Sequence, residues 1–198
     1  MNTLKKMGAY VITSGDHITI AKNACEAGAR ILQYRDKHST RKEMTAIARQ
    51  IRKYTAESGT LFIINDYIDL AMIVGADGVH LGQDDISIHD ARKITPEGFI
   101  IGVSTHSLEQ AVEAERSGAD YIGIGPVFAT PTKEDYIPIG IETVKQVSET
   151  VNIPFVAIGG LNLSNIHRLR ELGVFNVAMV REYQEDTRSV IREINSHL

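Results

Sequence analysis

Short apolar runs alternate with amphipathic stretches along the whole chain. The runs at 9–13, 30–34, 61–64, 78–81, 99–103, 121–124, 154–158 and 177–180 are brief and mostly Val, Ile, Leu and Ala. That is the length and content of buried strands. Between them the apolar positions take helical spacing. Ile20, Ala21, Ala24 and Cys25 form one stripe, closed by Gly28. Met44, Ile47, Ala48 and Ile51 form another, behind the capping-box pattern Thr40-Arg41-Lys42-Glu43. Ala71 to Val74 end a helix. Ser107-Leu108-Glu109-Gln110 reads as a second capping box, with a stripe at Leu108, Ala111 and Val112. Further stripes follow at Ile141, Val144 and Val147, at Ile166, Leu169 and Leu172 (ending at Gly173), and at Val190, Ile191 and Ile194.

One local pattern recurs. Each of Glu26-Ala27-Gly28-Ala29, Ile73-Val74-Gly75-Ala76, Arg116-Ser117-Gly118-Ala119 and Glu171-Leu172-Gly173-Val174 ends a helix on glycine and enters a strand, at intervals of 43 to 55 residues. Glycine at a helix end, then a short turn into a buried strand, is what an αβ unit requires. Each interval holds about two such units, so the pattern gives eight strands. Continuous apolar strands joined by helices must be parallel and covered on both faces. The expected fold is therefore a compact (β/α)8 TIM barrel, a single domain over residues 1–198. A doubly wound open sheet is the alternative, but it rarely needs eight units so evenly built.

Composition narrows the function. The chain carries 43% apolar and 23% charged residues and a net charge of −4, which is ordinary globular content. No basic stripe or motif points to nucleic acid. No apolar run has the length of a membrane span, and no signal peptide is evident. The one cysteine, Cys25, fits a reducing cytosol and is expected to be a buried structural thiol. The seven histidines include no His-x-x-x-His pair for zinc. There is no nucleophile elbow and no GxGxxG fingerprint.

In such a barrel chemistry gathers at the C-terminal strand ends. The second strand leads to Gln33-Tyr34-Arg35-Asp36-Lys37, the third to Asn65-Asp66, and the fourth (with His80, expected inside the barrel) to Asp84-Asp85. The fifth gives Ser104-Thr105-His106, with His106 read as part of the loop and not as a base. The sixth opens into Gly123-Ile124-Gly125-Pro126-Val127-Phe128-Ala129-Thr130-Pro131-Thr132-Lys133, where glycines, hydroxyls and a lysine suit an anion. The cations Arg35, Lys37 and Lys133 beside Asp66 and one or both of Asp84 and Asp85 suggest a polyphosphate bridged to Mg²⁺. Asp66 could instead cap the helix starting at Tyr67. Gly159-Gly160 and the end of the eighth strand are expected to open helices and to hold a monophosphate.

These segments, from Gln33-Tyr34-Arg35-Asp36-Lys37 through Gly75-Ala76-Asp77-Gly78-Val79-His80-Leu81-Gly82-Gln83-Asp84-Asp85 and Gly102-Val103-Ser104 to Ala157-Ile158-Gly159-Gly160, resemble the thiamine-phosphate synthase family in content and order. The resemblance implies joining of hydroxymethylpyrimidine diphosphate to a thiazole phosphate, often carboxylated, giving thiamine phosphate and diphosphate. It implies that Gln33, Arg35, Lys37 and Asn65 hold the pyrimidine diphosphate, aided by Ser104 and Lys133. Asp66 and Asp85 would bind Mg²⁺, with Asp84 their neighbour. Thr130, Thr132, Gly160 and the backbone at Val180-Arg181 would bind the thiazole phosphate. It further implies small-molecule substrates and a cytoplasmic enzyme, and is compatible with a homo-oligomer. One departure stands out: the family usually ends its eighth strand in Gly-Val-Ala-Val-Val-Ser, whereas this chain has Asn176-Val177-Ala178-Met179-Val180-Arg181. Arg181 could add a phosphate contact or crowd the site. Two alternatives share the barrel. One is a thiazole tautomerase, which has a histidine where this chain has Pro126. The other is a catalytically silent relative that binds thiazole or thiamine phosphate.

Overall fold

The structure is a computed structural model that describes residues 2–130 and 137–198. Eight parallel strands close into a barrel in chain order: β1 (Ala9–Ile12), β2 (Ile31–Tyr34), β3 (Leu61–Asn65), β4 (Gly78–Leu81), β5 (Ile100–Thr105), β6 (Tyr121–Ile124), β7 (Phe155–Ile158) and β8 (Val177–Met179). Helices α2 (His17–Glu26), α3 (Arg41–Ser58), α4 (Ile68–Val74), α5 (Ile88–Ile94), α6 (Leu108–Arg116), α7 (Gly140–Thr150), α8 (His167–Arg170) and α9 (Glu182–Asn195) connect the strands or follow the last, and a short α1 (Asn2–Lys5) precedes them. The expected fold is the observed one.

Side chains alternate along each strand, so every strand feeds two apolar layers. Ala9 and Val11 pack outward against the helical jacket. Tyr10 and Ile12 point into the barrel with Ile31, Ile63, Tyr121, Val156 and Ala178. Leu4 and Met7, beside α1, belong to this inner cluster and close its lower end. Alpha1 was not foreseen, since it adds only one turn with one buried leucine. Alpha5 was not foreseen either: it buries only Ile88 and Ala91, too few positions to show a stripe.

The repeated helix-end glycines have a common geometry. Gly28, Gly75, Gly118 and Gly173 all have φ between 67 and 90°, the left-handed region that favours glycine. The residues that follow tie the lower rim. Asp77 accepts the Phe62 N–H (2.7 Å) and a two-pronged contact from Arg52. Asp120 accepts the Ile101 N–H (2.7 Å) and Arg92 (2.5 Å). Asn176 takes the same place before β8, accepting the Gly8 N–H and donating to the Phe155 carbonyl. Asn176 thus links β7 to the start of β1 where the barrel closes.

The capping box at Thr40 and Glu43 forms as expected. The one at Ser107 forms by half. Its hydroxyl accepts the Gln110 N–H, but the Gln110 carbonyl oxygen turns to the His106 N–H (2.7 Å). Cys25 is only half-buried. It lies about 90° around α2 from the centre of the Ile20, Ala21 and Ala24 face, at the edge of the stripe.

The Tyr121 ring crosses the barrel over Gly102, whose added Cβ would lie 2.1 Å from the ring's Cζ. Gly102→Ala is expected to cost about 1–3 kcal/mol, measured by urea unfolding. A change under about 0.5 kcal/mol, the ordinary surface range, would show that the ring can move aside.

Candidate active site

All strand ends point to one rim, and a cavity of about 380 Å³ opens there. Its wall collects the residues that the sequence singled out. Gln33, Arg35 and Lys37 line it from β2, and Asn65 and Asp66 from β3. Asp84 and Asp85 approach from the loop after β4, and Ser104 from β5 itself, which ends two residues later than expected. Thr130, Gly160, Val180 and Arg181 complete the opposite side. Thr132 and Lys133 lie outside the described residues.

Asp66 is the one described non-glycine residue with positive φ (63°). That conformation costs of order 1 kcal/mol or more and recurs at functional sites. It does not serve to cap a helix: α4 begins beyond Tyr67 without a side-chain cap. Instead the Asp66 N–H donates to the His80 carbonyl (2.8 Å), and the carboxylate pairs with Lys37. Beside Asp66, Asp85 Oδ2 accepts the Gly82 N–H (2.7 Å). Partial burial pushes the Asp85 carboxyl up; the Gly82 N–H opposes this, and the nearby Asp66 carboxylate adds to it. Two carboxylates held this close are a place where a cation would be favoured. The donors are all oxygen, as Mg²⁺ prefers. Among the described residues no group of three or more His, Cys, Asp or Glu side chains is placed to hold a metal. Asp66 and Asp85 are an open set, of the kind Mg²⁺ would complete with substrate phosphates and water.

The loop carrying Arg35 and Lys37 is fixed from below by Asp36. Its Oδ1 accepts the N–H groups of His38 (2.9 Å) and Ser39 (3.1 Å). Its Oδ2 accepts the Tyr34 hydroxyl (3.1 Å) and faces His17 Nε2 at 3.4 Å. His17 Nδ1 in turn meets the Thr13 hydroxyl (2.8 Å). Burial alone would raise the Asp36 carboxyl, but the two N–H groups and the Tyr34 hydroxyl outweigh it and hold the carboxyl well below its ordinary value. Burial depresses His17, with Asp36 partly opposing.

On the far side the geometry departs from expectation. Gly159 and Gly160 do not open a helix; α8 starts only at His167 and is one turn long. Both glycines have positive φ, 95 and 65°. A Cβ on Gly160 would lie 2.7 Å from the Ala129 carbonyl, and one on Gly159 2.4 Å from Pro126. The pair lets the loop after β6 lie flat on β7, where Val127 N–H donates to the Ile158 carbonyl and Phe128 N–H to that of Gly159. The end of β8 does open a helix. Arg181 is the N-cap residue of α9 and makes no side-chain cap. It is exposed and makes no ion pair among the described residues.

His80 lies inside the barrel as expected, 7% exposed. His106 is a loop tie, its Nδ1–H donating to the Gly125 carbonyl (2.5 Å). The sequence reading missed Tyr10 and Tyr121. Their hydroxyls meet at 2.7 Å on the cavity floor. A tyrosine at an inward position of an otherwise aliphatic strand was the signal.

With this geometry in view, the comparisons decide the kinship. Residues 9–183 match the thiamine monophosphate synthase family. The chain belongs to that family. It is 47% identical over 183 residues to a thiamine-phosphate synthase of Pyrococcus horikoshii, covering 91% of this chain and 88% of the relative. It is 41% identical to one from Dictyoglomus turgidum over the full chain and 94% of the relative. A solved thiamine phosphate pyrophosphorylase from Pyrococcus furiosus superposes with a TM-score of 0.91 at 39% identity, covering 99% of this chain and 97% of that one. The thiamine monophosphate synthase family therefore accounts for both the barrel and the order of residues around its mouth. Among the described residues no helix is long and apolar enough to cross a membrane.

Asp36→Asn is expected to destabilise the protein by about 1–3 kcal/mol at neutral pH. Because the folded-state carboxyl sits below its unfolded-state value of about 3.9, its stabilisation is complete above that value. It is lost as pH falls from there towards the folded-state value. Urea unfolding between pH 7 and 3 should show the variant with a shallower acid decline than wild type; parallel declines would assign acid sensitivity to other carboxyls.

Proposed function

We propose that this chain is a thiamine-phosphate synthase, a transferase that joins hydroxymethylpyrimidine diphosphate to thiazole phosphate, plain or carboxylated, and releases diphosphate. The observation that carries this reading is the meeting of Arg35 and Lys37 with Asp66 and Asp85 at one mouth, in a chain of this family. A site for a monophosphate alone would have no use for a carboxylate pair. The tautomerase and the silent-binder alternatives gain nothing from the relatives named above, which carry the synthase name.

Asp66 and Asp85 would hold Mg²⁺, and when bound the ion supplies positive charge against the leaving diphosphate. Arg35 and Lys37 take the diphosphate oxygens as charge grows on them, with Lys133 proposed to join from the loop after β6. Asn65 and Gln33 orient the pyrimidine. The bond from the pyrimidinylmethyl carbon to the diphosphate oxygen breaks with its electron pair on oxygen. The thiazole nitrogen lone pair then forms the new carbon–nitrogen bond. No protein nucleophile is required. The residues act by placing two substrates in line and by fixed charge. Thr130, Thr132, Gly160 and the backbone at Val180 would seat the thiazole phosphate, with the Arg181 guanidinium as an added contact. Reaction in the cytoplasm fits the free thiol at Cys25.

Purified protein supplied with Mg²⁺ and both substrates is expected to form thiamine phosphate, read as fluorescent thiochrome after oxidation. Chelation should abolish the signal, and Asp66→Ala should lower it at least about 100-fold, as loss of a charge-stabilising group typically does. Product formation insensitive to chelation would remove the metal from the reading, and none from folded wild type would remove the reading itself.

Arg181→Ser is expected to raise the KM for thiazole phosphate about tenfold, the equivalent of one charge-assisted hydrogen bond. The KM for the pyrimidine diphosphate should stay the same. An unchanged or lower thiazole-phosphate KM would place the guanidinium away from the phosphate.

A further inference from the structure

Five buried or half-buried polar side chains run from Gln33 on β2, across the barrel floor, to Ser104 on β5. Gln33 Nε2 donates to the Tyr10 hydroxyl oxygen at 2.8 Å. The Tyr10 and Tyr121 hydroxyls are 2.7 Å apart. Tyr121 Oη is 3.0 Å from His80 Nδ1, and His80 Nε2 is 3.0 Å from Ser104 Oγ. Gln33 and Ser104 face the cavity, while Tyr10 and Tyr121 are at most 1% exposed. Burying hydroxyls this deeply is costly unless each is paired, and here each is.

The chain has a direction, and one end sets it. An amide nitrogen accepts nothing. With Gln33 donating to Tyr10, the acceptor that the described residues offer the Tyr10 proton is the Tyr121 oxygen. Tyr121 then accepts from Tyr10, and its own proton goes to His80 Nδ1. That leaves His80 neutral with its hydrogen on Nε2, which donates to Ser104 Oγ. The Ser104 hydrogen is thereby released from the floor and directed to the cavity.

We propose that Tyr10, Tyr121 and His80 are positioning residues that fix the His80 Nε2–H tautomer and so make Ser104 a donor toward an acceptor atom of the bound ligand. Turning the Gln33 amide over would reverse every link: Ser104 would donate to His80 and offer the ligand only lone pairs. One amide at one side of the mouth therefore selects the hydrogen-bonding sense of a hydroxyl at the other. The direction of the chain is a property of the free protein. Its consequence for catalysis rests on the synthase reading above, with Ser104 against the pyrimidine substrate.

The test reads the ring directly. Whole protein carrying ¹⁵N-labelled histidine is examined by NMR at pH 7.5, with the His80 signals assigned by their loss in His80→Asn. The expected result is a protonated Nε2 and an unprotonated Nδ1. A hydrogen on Nδ1, or a doubly protonated ring, overturns the proposal. Tyr10→Phe frees Tyr121 to donate or accept, so the His80 ring should become a mixture of tautomers; an unchanged single tautomer would show that the chain does not set it. In turnover, Tyr121→Phe should lower kcat about tenfold, the weight of one hydrogen bond, and leave the KM for thiazole phosphate alone. An unaltered kcat would separate Ser104 from the chain. If wild type makes no thiamine phosphate, the synthase reading fails while the tautomer result still decides the direction. If Tyr121→Phe does not fold, wild type and Tyr10→Phe are sufficient.

Discussion

Closure of β8 onto β1 is the constraint on which the rest of the molecule depends. An unclosed parallel sheet would leave two edges of unpaired N–H and C=O groups. Here Ala9, Tyr10 and Val11 stand opposite Val177, Ala178 and Met179. The side chains of Asn176 and Asn195 hold the N–H groups of Gly8 and Ala9 at the seam. Only a closed ring brings Arg35, near the second strand, to the same cavity as Arg181, after the eighth. Closure also limits the interior. A barrel of eight strands is filled by side chains, and whatever stands in its upper layer becomes the floor of the site.

In this chain that layer is partly polar, which ties packing to chemistry. Tyr10 and Tyr121 fill volume as hydrophobes do, yet their hydroxyls need partners. They find them in each other, Gln33 and His80. The same economy holds at the rim. Asp66 accepts a strained φ, and in that conformation its N–H finishes the ladder onto the His80 carbonyl while its carboxylate faces Lys37. A glycine would relieve the backbone and remove the charge. The strain is kept at the position where like charges are also brought together, against Asp85. On the reading proposed above, a bound cation would offset the repulsion between the two carboxylates.

The fold was legible because its signals are local and repeated. Strand-length apolar runs, helical stripes and the glycines after α2, α4, α6 and α8 each follow from spacing of a few residues. What escaped was set by few or distant contacts. Alpha1 shows a single buried leucine and α5 only two buried residues. The helix expected at Gly159-Gly160 is displaced because those glycines answer to the loop after β6, thirty positions earlier in sequence, and not to a helix start. Of the site, the charged and amide residues were readable from their place after strands. Tyr10 and Tyr121 were not, since their role lies in a hydroxyl pair that joins β1 to β6. Thr132 and Lys133 fall in the stretch outside the described residues.

That displaced helix also bears on how an anion would be held on the far side. With α8 a single turn starting at His167, no helix dipole points at the cavity from the β7 loop. The remaining helix start is that of α9, and its first turn carries Glu182 and Glu185. Acidic residues suit a helix N-terminus by themselves, but they compete there with a phosphate for the same field. Glu182 lines the cavity as well. Where the family's usual small residue would leave backbone N–H groups alone to face that acid, Arg181 brings a fixed positive charge to the same turn. On the reading proposed above, the departure from the family pattern and the local acidity go together: Arg181, next to Glu182 at the start of α9, would offset that acid's charge where a phosphate is to be seated.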